Sequence, residues 1–356
     1  LTLSTVFTTT SAALLRALSA TEDMRLLIHH GRLLTTLSAL RSTTTTKAAD
    51  ATPVSLVVDE RGRPSLAFAG YTMPLEDMPV EDYPTLPSVP EVVARLSSGA
   101  YIDALGRVAP SAGTDDTLPM LTGVNAVINE SGECLLEATD RYRVAQATVV
   151  TTGVAVPGTY NMPARALVGL AKHISADSEL SILANESSLP GIDRLVYGGI
   201  NADGITYVTT LLAGELPALD AVITKSVPFG SITVETKAVV KGVKAAAKLT
   251  SSATGHSAAT APIELRAHQN GVEIAPQSTV PGARATAPVH TGQVSGLPEH
   301  RLVNSALLAE GARAVGADRV SLHYAAKEVL LLTAAGEHPS DPGVFRYLLK
   351  CMRTGA

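Results

Sequence analysis

The strongest constraint on this chain is a self-similarity whose period is about 140 residues. Three stretches, GRLLTTLSAL from Gly31, ARALVGLAKHI from Ala164 and NSALLAEGARAV from Asn304, place paired apolar residues at helical spacing behind a polar or Pro-containing start. A second series follows each helix: SLAFAGYTM from Ser65, ITYVTTLLA from Ile205 and FRYLLKCMR from Phe345, all apolar and β-prone. The period is too long for a solenoid and has the size of a domain, which predicts three similar α+β domains in tandem, over residues 1–88, 89–222 and 223–356. Pro-rich YPTLPSVP marks the first seam, because Pro disfavours helix and removes backbone donors, and VITKSVPFG marks the second.

Alternating segments between these marks, PVSLVVDE, NAVINESGECLLEAT, IELRAHQNGVEIAP and RVSLHYAAKEVLLL, read as strands, several joined at turn residues. Sheets with helices on one face are the expected result. The first repeat has only about 30 residues ahead of its helix, against more than 70 in the others, and is expected to lack the opening strand and helix of the unit. The chain starts at Leu1 rather than Met, which reads as a missing front.

With 46% hydrophobic residues, no Trp and only 4 Phe, the cores must rest on Ala, Val and Leu. A formal net charge of −5 argues against indiscriminate binding to nucleic acid or anionic membrane, so any DNA contact has to come from a local basic face. Cys134 and Cys351 lie far apart among apolar neighbours, without the spacing of a metal or redox pair, and are expected to be buried thiols. No run approaches a membrane-spanning length, and Leu1–Ala20 lacks a basic leader and cleavage pattern, so a cytoplasmic protein without membrane contact is expected.

One segment does carry a basic face. TKAVVKGVKAAAKL sets Lys237, Lys241, Lys244 and Lys248 on one side of a helix, with Val239, Val243 and Ala246 on the other. Two readings stay open: a solvated face, or a stripe whose mutual repulsion a polyanion relieves. Other helices are expected to carry sparser cations: Arg32 and Arg41, Arg95 and Arg107, Arg165 and Lys172, and Arg313. Side by side they would touch phosphates without reading bases.

Enzyme signatures are scarce. The chain has no GxxxxGK[ST] loop, no GxSxG elbow, no HExxH and no Cys/His cluster at ligand spacing, so no catalytic residue, cofactor or metal is expected. His29–His30 reads as a surface or turn pair, and Asp115–Asp116 as turn and capping residues.

TDDTLPMLTGV (114–124), EATDRYRVA (137–145), GELPALDAVI (214–223) and FRYLLKCMRT (345–354), together with GRLL and YPTLPSVP, resemble the bacterial DNA polymerase sliding clamp family, the β subunit of the replicase. The resemblance implies three clamp domains per chain and two chains closed head-to-tail around duplex DNA. It implies a non-catalytic processivity factor for DNA replication. It also implies a pocket between domains two and three that accepts short linear peptides from DNA polymerase, clamp loader and repair proteins.

Carried over position by position, the resemblance assigns Leu121, Thr139, Arg141, Tyr142, Arg143 and Val144 to one pocket wall, and Pro217 and Val222 to the interdomain edge. Asn304, Leu307, Leu348, Leu349, Met352 and Arg353 come from domain three. Arg32, Arg95, Arg107, Arg165, Lys172 and the four lysines would face DNA. Tyr71, Met73 and Leu75 would meet domain three of the partner, near residues 250–265, in a homodimer. The chain departs from the family pattern at Cys351, where Pro is usual, at Lys350, where an apolar residue is usual, and at Ala221, where a basic residue is usual. These departures and the short first domain leave a second reading beside the clamp: a decoy or adaptor that keeps the peptide pocket without encircling DNA.

Overall fold

The computed structural model describes residues 26–45, 52–82, 88–187, 195–214, 216–255, 257–258, 260–280, 282–296, 298–326 and 328–352. Most of the YPTLPSVP seam, the first 25 residues and Arg353 lie outside the described residues. Contacts divide the chain into two compact units, 1–88 and 89–356.

In the first unit, three strands, Ser55–Val58, Pro64–Phe68 and Tyr71–Pro74, form an antiparallel sheet in chain order. Two tight turns set its register. The Asp59 carboxylate accepts the backbone N–H groups of Arg61 and Arg63, which with the Arg63 side chain hold it below the usual carboxylate range. Ala69 and Gly70 both take positive φ, which suits a two-residue hairpin. The helix His30–Arg41 supplies Leu40, which joins Leu66, Phe68 and Leu75 in a core of only four buried side chains among the described residues.

The second unit is built around one 13-stranded sheet. The same strand–helix steps occur twice, roughly 140 residues apart, as the repeat requires. Glu91–Ser97 runs into the helix Ser98–Val108, and Pro228–Glu235 into the helix Thr236–Thr254. Gly158–Pro163 runs into Ala164–Ala171, and Arg301–Asn304 into Ser305–Ala314. Each helix turns an apolar stripe inward, such as Tyr101, Leu105 and Val108 or Val239, Val243 and Ala246. A continuous apolar core spans both halves. Cys134 and Cys351 are buried free thiols, pushed up to about 12 by desolvation.

The seam expected near residue 223 is not a break in the hydrogen bonding. The final strand Arg346–Lys350 pairs with the long strand Arg143–Ala155 from the other half, with Leu348 opposite Val144 and Leu349 opposite Arg143. A polar file also crosses this join. Asn161 stands opposite Asn125, Asn125 opposite Glu137, Glu137 opposite Gln146, and Gln146 opposite Arg346, so five strands contribute one residue each. Asn125 and Gln146 each donate to one Glu137 oxygen at 2.9 Å, and burial raises the carboxyl above its usual range.

A smaller four-stranded sheet, in the order Val289–Thr291, Gly271–Pro276, Pro262–His268, Arg301–Asn304, completes the unit. Pro262–His268 is hydrogen-bonded on both sides, so a free edge near residues 250–265 does not exist in that strand. The sheet's edges are Val289–Thr291 and Arg301–Asn304.

Candidate peptide groove and basic face

The TDRYR stretch folds into a turn that satisfies itself. Arg141 adopts φ 81°, Thr139 donates to the Arg143 carbonyl at 2.6 Å, and the Asp140 carboxylate accepts the N–H groups of Tyr142 and Arg143. Beyond the turn, strand alternation sends neighbouring residues to opposite faces. Val144 and Leu348 face outward with Leu331. The helix Leu219–Thr224 lies over them, and Leu219 and Ile223 close a second apolar cluster with Ala325 and, at its margin, Val329. Thr139 shares this face through its pairing with Val144. Pro217 and Val222 are exposed beside it, Tyr142 is 58% exposed, and Met352 is 38% exposed.

Arg143 and Leu349 turn the other way. Leu349 is fully buried in the main core. Arg143 donates to Asp140 and to the Pro110 carbonyl, at 2.9 and 2.7 Å, and forms an ion pair with Glu310 of the helix Ser305–Ala314. Burial pulls its pKa down, but Glu310, Tyr347 and Asp140 outweigh that and hold the guanidinium firmly charged. Among the remaining wall residues, Leu121 is half-buried in the turn Pro119–Leu121, and Asn304 caps its helix by accepting the Leu307 N–H. Leu307 packs on the main core, and its carbonyl accepts the Tyr347 hydroxyl. Thus Thr139, Tyr142, Val144 and Leu348 share one face, whereas Arg143 and Leu349 face the helices.

The departures at the strand's end have visible consequences. The Cys351 N–H donates to the Glu328 carbonyl at 2.7 Å, a bond that proline lacks the hydrogen to make. Lys350 is exposed, donates its backbone N–H to the Tyr142 carbonyl and stands opposite Val329. Sequence reasoning missed Leu219, Ile223 and Leu331 as members of the cluster. LPALDAVI carries the signal, an apolar pair four residues apart.

The four lysines are exposed along the helix Thr236–Thr254, and none enters an ion pair among the described residues. Lys237, Lys241 and Lys244 line a concavity of about 430 Å³ with Thr236, Val240 and Arg313 from the adjoining helix. Arg165 and Lys172 are exposed on and just after Ala164–Ala171. Two other cations differ from expectation. Arg95 lies on a strand, paired with Glu179 at 3.2 Å, because EVVARLS alternates with period two. Arg107 is on a helix, but its guanidinium donates to the Ala314 and Val315 carbonyls and stacks 3.8 Å from the Phe345 ring centre. It caps the C-terminal end of the neighbouring helix, where a cation is favoured. In the first unit, Arg32 is paired with Glu76.

The proposed dimer residues divide likewise. Tyr71 and Met73 are exposed on an edge strand, whereas Leu75 is buried in the small core. Asp115 accepts the Thr117 N–H and hydroxyl, as a turn residue does. Among the described residues no group of three or more His, Cys, Asp or Glu is placed to hold a metal. No described helix is long and apolar enough to cross a membrane.

Residues 95–218 match the family model for the DNA polymerase III beta subunit, central domain. A beta sliding clamp from Streptomyces coelicolor is 29% identical over 284 residues, covering 78% of this chain and 71% of the relative. One from Micrococcus luteus is 32% identical over 169 residues, covering 47% of this chain and 52% of the relative. The crystal structure of the Bacillus subtilis sliding clamp superposes with a TM-score of 0.71 at 17% identity, covering 87% of this chain and 78% of that one.

Proposed function

We propose that this chain, which the central-domain match, the relatives and the solved structures point to as a DNA polymerase III beta sliding clamp, works as a non-catalytic tether. Its basic helix face meets duplex DNA without reading sequence, and its outer groove holds short peptides of replication and repair proteins. Three domains, with boundaries near residues 88 and 222, and a head-to-tail homodimer complete this reading. A closed ring would turn dissociation of a bound polymerase into a local event by raising its effective concentration at the primer end.

The observation that carries the proposal is the placement of two unlike features in one unit: an exposed lysine stripe on a helix, and an apolar cluster on the outward face of the sheet, covered by the helix Leu219–Thr224 and flanked by exposed Tyr142, Val222 and Met352. Light scattering together with DNA titration tests it. Twice the chain mass at micromolar concentration, with salt-sensitive binding to duplex DNA, supports the ring. A monomer indifferent to DNA that still binds peptide supports the adaptor, the reading favoured by the altered groove end at Lys350 and Cys351.

A further inference from the structure

Nine buried side-chain polar atoms among the described residues have no hydrogen-bond partner, and four of the nine fall on the polar file that crosses the join between the halves. They are Asn161 Oδ1, Asn125 Oδ1, Gln146 Oε1 and Arg346 Nε. Buried polar groups are rarely left this way, so four on one file of five residues call for a cause. Asn125 Nδ2 and Gln146 Nε2 both donate to Glu137, which commits their oxygens to the far sides. The neighbours on those sides are Asn161 and Arg346.

A proton on Glu137 gives all four atoms a partner. An amide turned over exchanges its oxygen and nitrogen without changing shape. With Asn125 reversed, the same 2.9 Å contact carries a hydrogen bond from the Glu137 hydroxyl to Asn125 Oδ1, and Asn125 Nδ2 is released to donate to Asn161 Oδ1. Gln146 keeps its bond to the other Glu137 oxygen, and its own oxygen accepts from Arg346 Nε. Asn161 already donates to the Met120 carbonyl at 2.8 Å. Donors then run in one direction from Arg346 in one half to Met120 in the other. An ionised Glu137 only accepts, which forces the Asn125 amide back and leaves two asparagine oxygens without a hydrogen.

We propose that Glu137 holds a proton in the folded chain and that this proton locks the join between the two halves. Burial supports the protonated form, and Asp220 on the covering helix works in the same direction, against the amide donors. The other charged group on the file is Arg346, whose guanidinium is engaged by Asp220 at 3.2 Å and by the Asp341 carbonyl at 3.0 Å. Rising pH returns the proton to solvent, reverses Asn125 and strands buried acceptors, so the lock weakens on the alkaline side.

Urea unfolding of the full chain and of Glu137→Gln, from about pH 5 to about pH 8, tests the lock. The new amide donates where the hydroxyl does and accepts from Gln146, so the two proteins should match at about pH 5. A carboxyl raised by folding contributes stability that is complete below the unfolded value of about 4.3 and is lost as pH rises through the folded value. The wild-type midpoint should therefore fall by about 0.3–0.5 M urea per pH unit in that window, while that of the variant stays level. A variant weaker than wild type at about pH 5, or one that follows the wild type at every pH, overturns the lock. Infrared spectroscopy reads the wild type alone. At about pH 6, where an ordinary glutamate is about 98% ionised, the carbonyl band of a protonated carboxyl should persist, and its absence overturns the proton itself.

Discussion

Consecutive residues on the joined strands do opposite work on the two faces of the sheet. Arg143 and Leu349 face the helices, where one bridges both halves through Pro110 and Glu310 and the other fills the core. Val144 and Leu348 face outward, where the cover is a single short helix and the rim is open. The inner face holds the halves together, and the outer face is closed by that one short helix. Proximity in sequence is thus a poor guide to shared function on a strand, since the period of two separates what the order of letters joins.

The largest test of this contrast is Arg143→Ala. Removing it leaves Asp140 and Glu310 without their cation and the Pro110 carbonyl without its donor, so urea unfolding should show a loss of about 3–5 kcal/mol. Loss of less than about 1 kcal/mol would remove the cementing role. Leu349→Ala should cost about 2–5 kcal/mol through lost burial and a residual cavity, read by the same unfolding curves.

The outer face should be distinguishable by acid. His323 is buried on it opposite Leu331 and accepts or donates one hydrogen bond with Thr333. Burial, with His338 adding to it, pushes its pKa down to about 4. The unfolded chain therefore binds this proton more readily, so stability is full above pH 6.5 and falls as pH drops toward 4. The loss amounts to about 3 kcal/mol in total. His323→Gln should flatten that segment of the pH–stability curve.

Exposed groove residues should respond in affinity alone. Val222→Ala is expected to leave unfolding within about 0.5 kcal/mol of wild type. It should weaken a Leu-anchored peptide by about three- to tenfold in fluorescence titration. The smallest structural effect belongs to the lysine stripe. Replacing Lys237, Lys241, Lys244 and Lys248 by Glu should leave the fold intact and flatten the salt dependence of DNA binding, and superimposed salt titrations would reduce the stripe to a solvated face.

Much of the architecture was legible because its signals are local. The lysine helix, the hairpins at Asn-Glu-Ser-Gly and Gln-Asn-Gly, and the repeated helices all show their period directly in the letters. The site was legible only in part. TDRYR and the terminal strand announce a shared location through family resemblance, but which face each residue takes depends on register, and register depends on pairing between strands about 200 residues apart. Arg95 and Arg107 were misjudged for related reasons: a short strand was given helical spacing, and a helix-capping arginine cannot be told from a surface one until its carbonyl partners arrive.

The polar file through Asn125, Glu137, Gln146 and Arg346 has a consequence for how this chain finds a single native state. Strands made so largely of Ala, Val and Leu offer several nearly equivalent ways to slide past one another, each burying similar area. A shift of one strand by a single step would set Glu137 among the aliphatics of the core and leave Asn125 and Gln146 without their acceptor. The file therefore makes misaligned sheets costly even though it adds little to the aligned one, and it works as a key that only the native alignment fits.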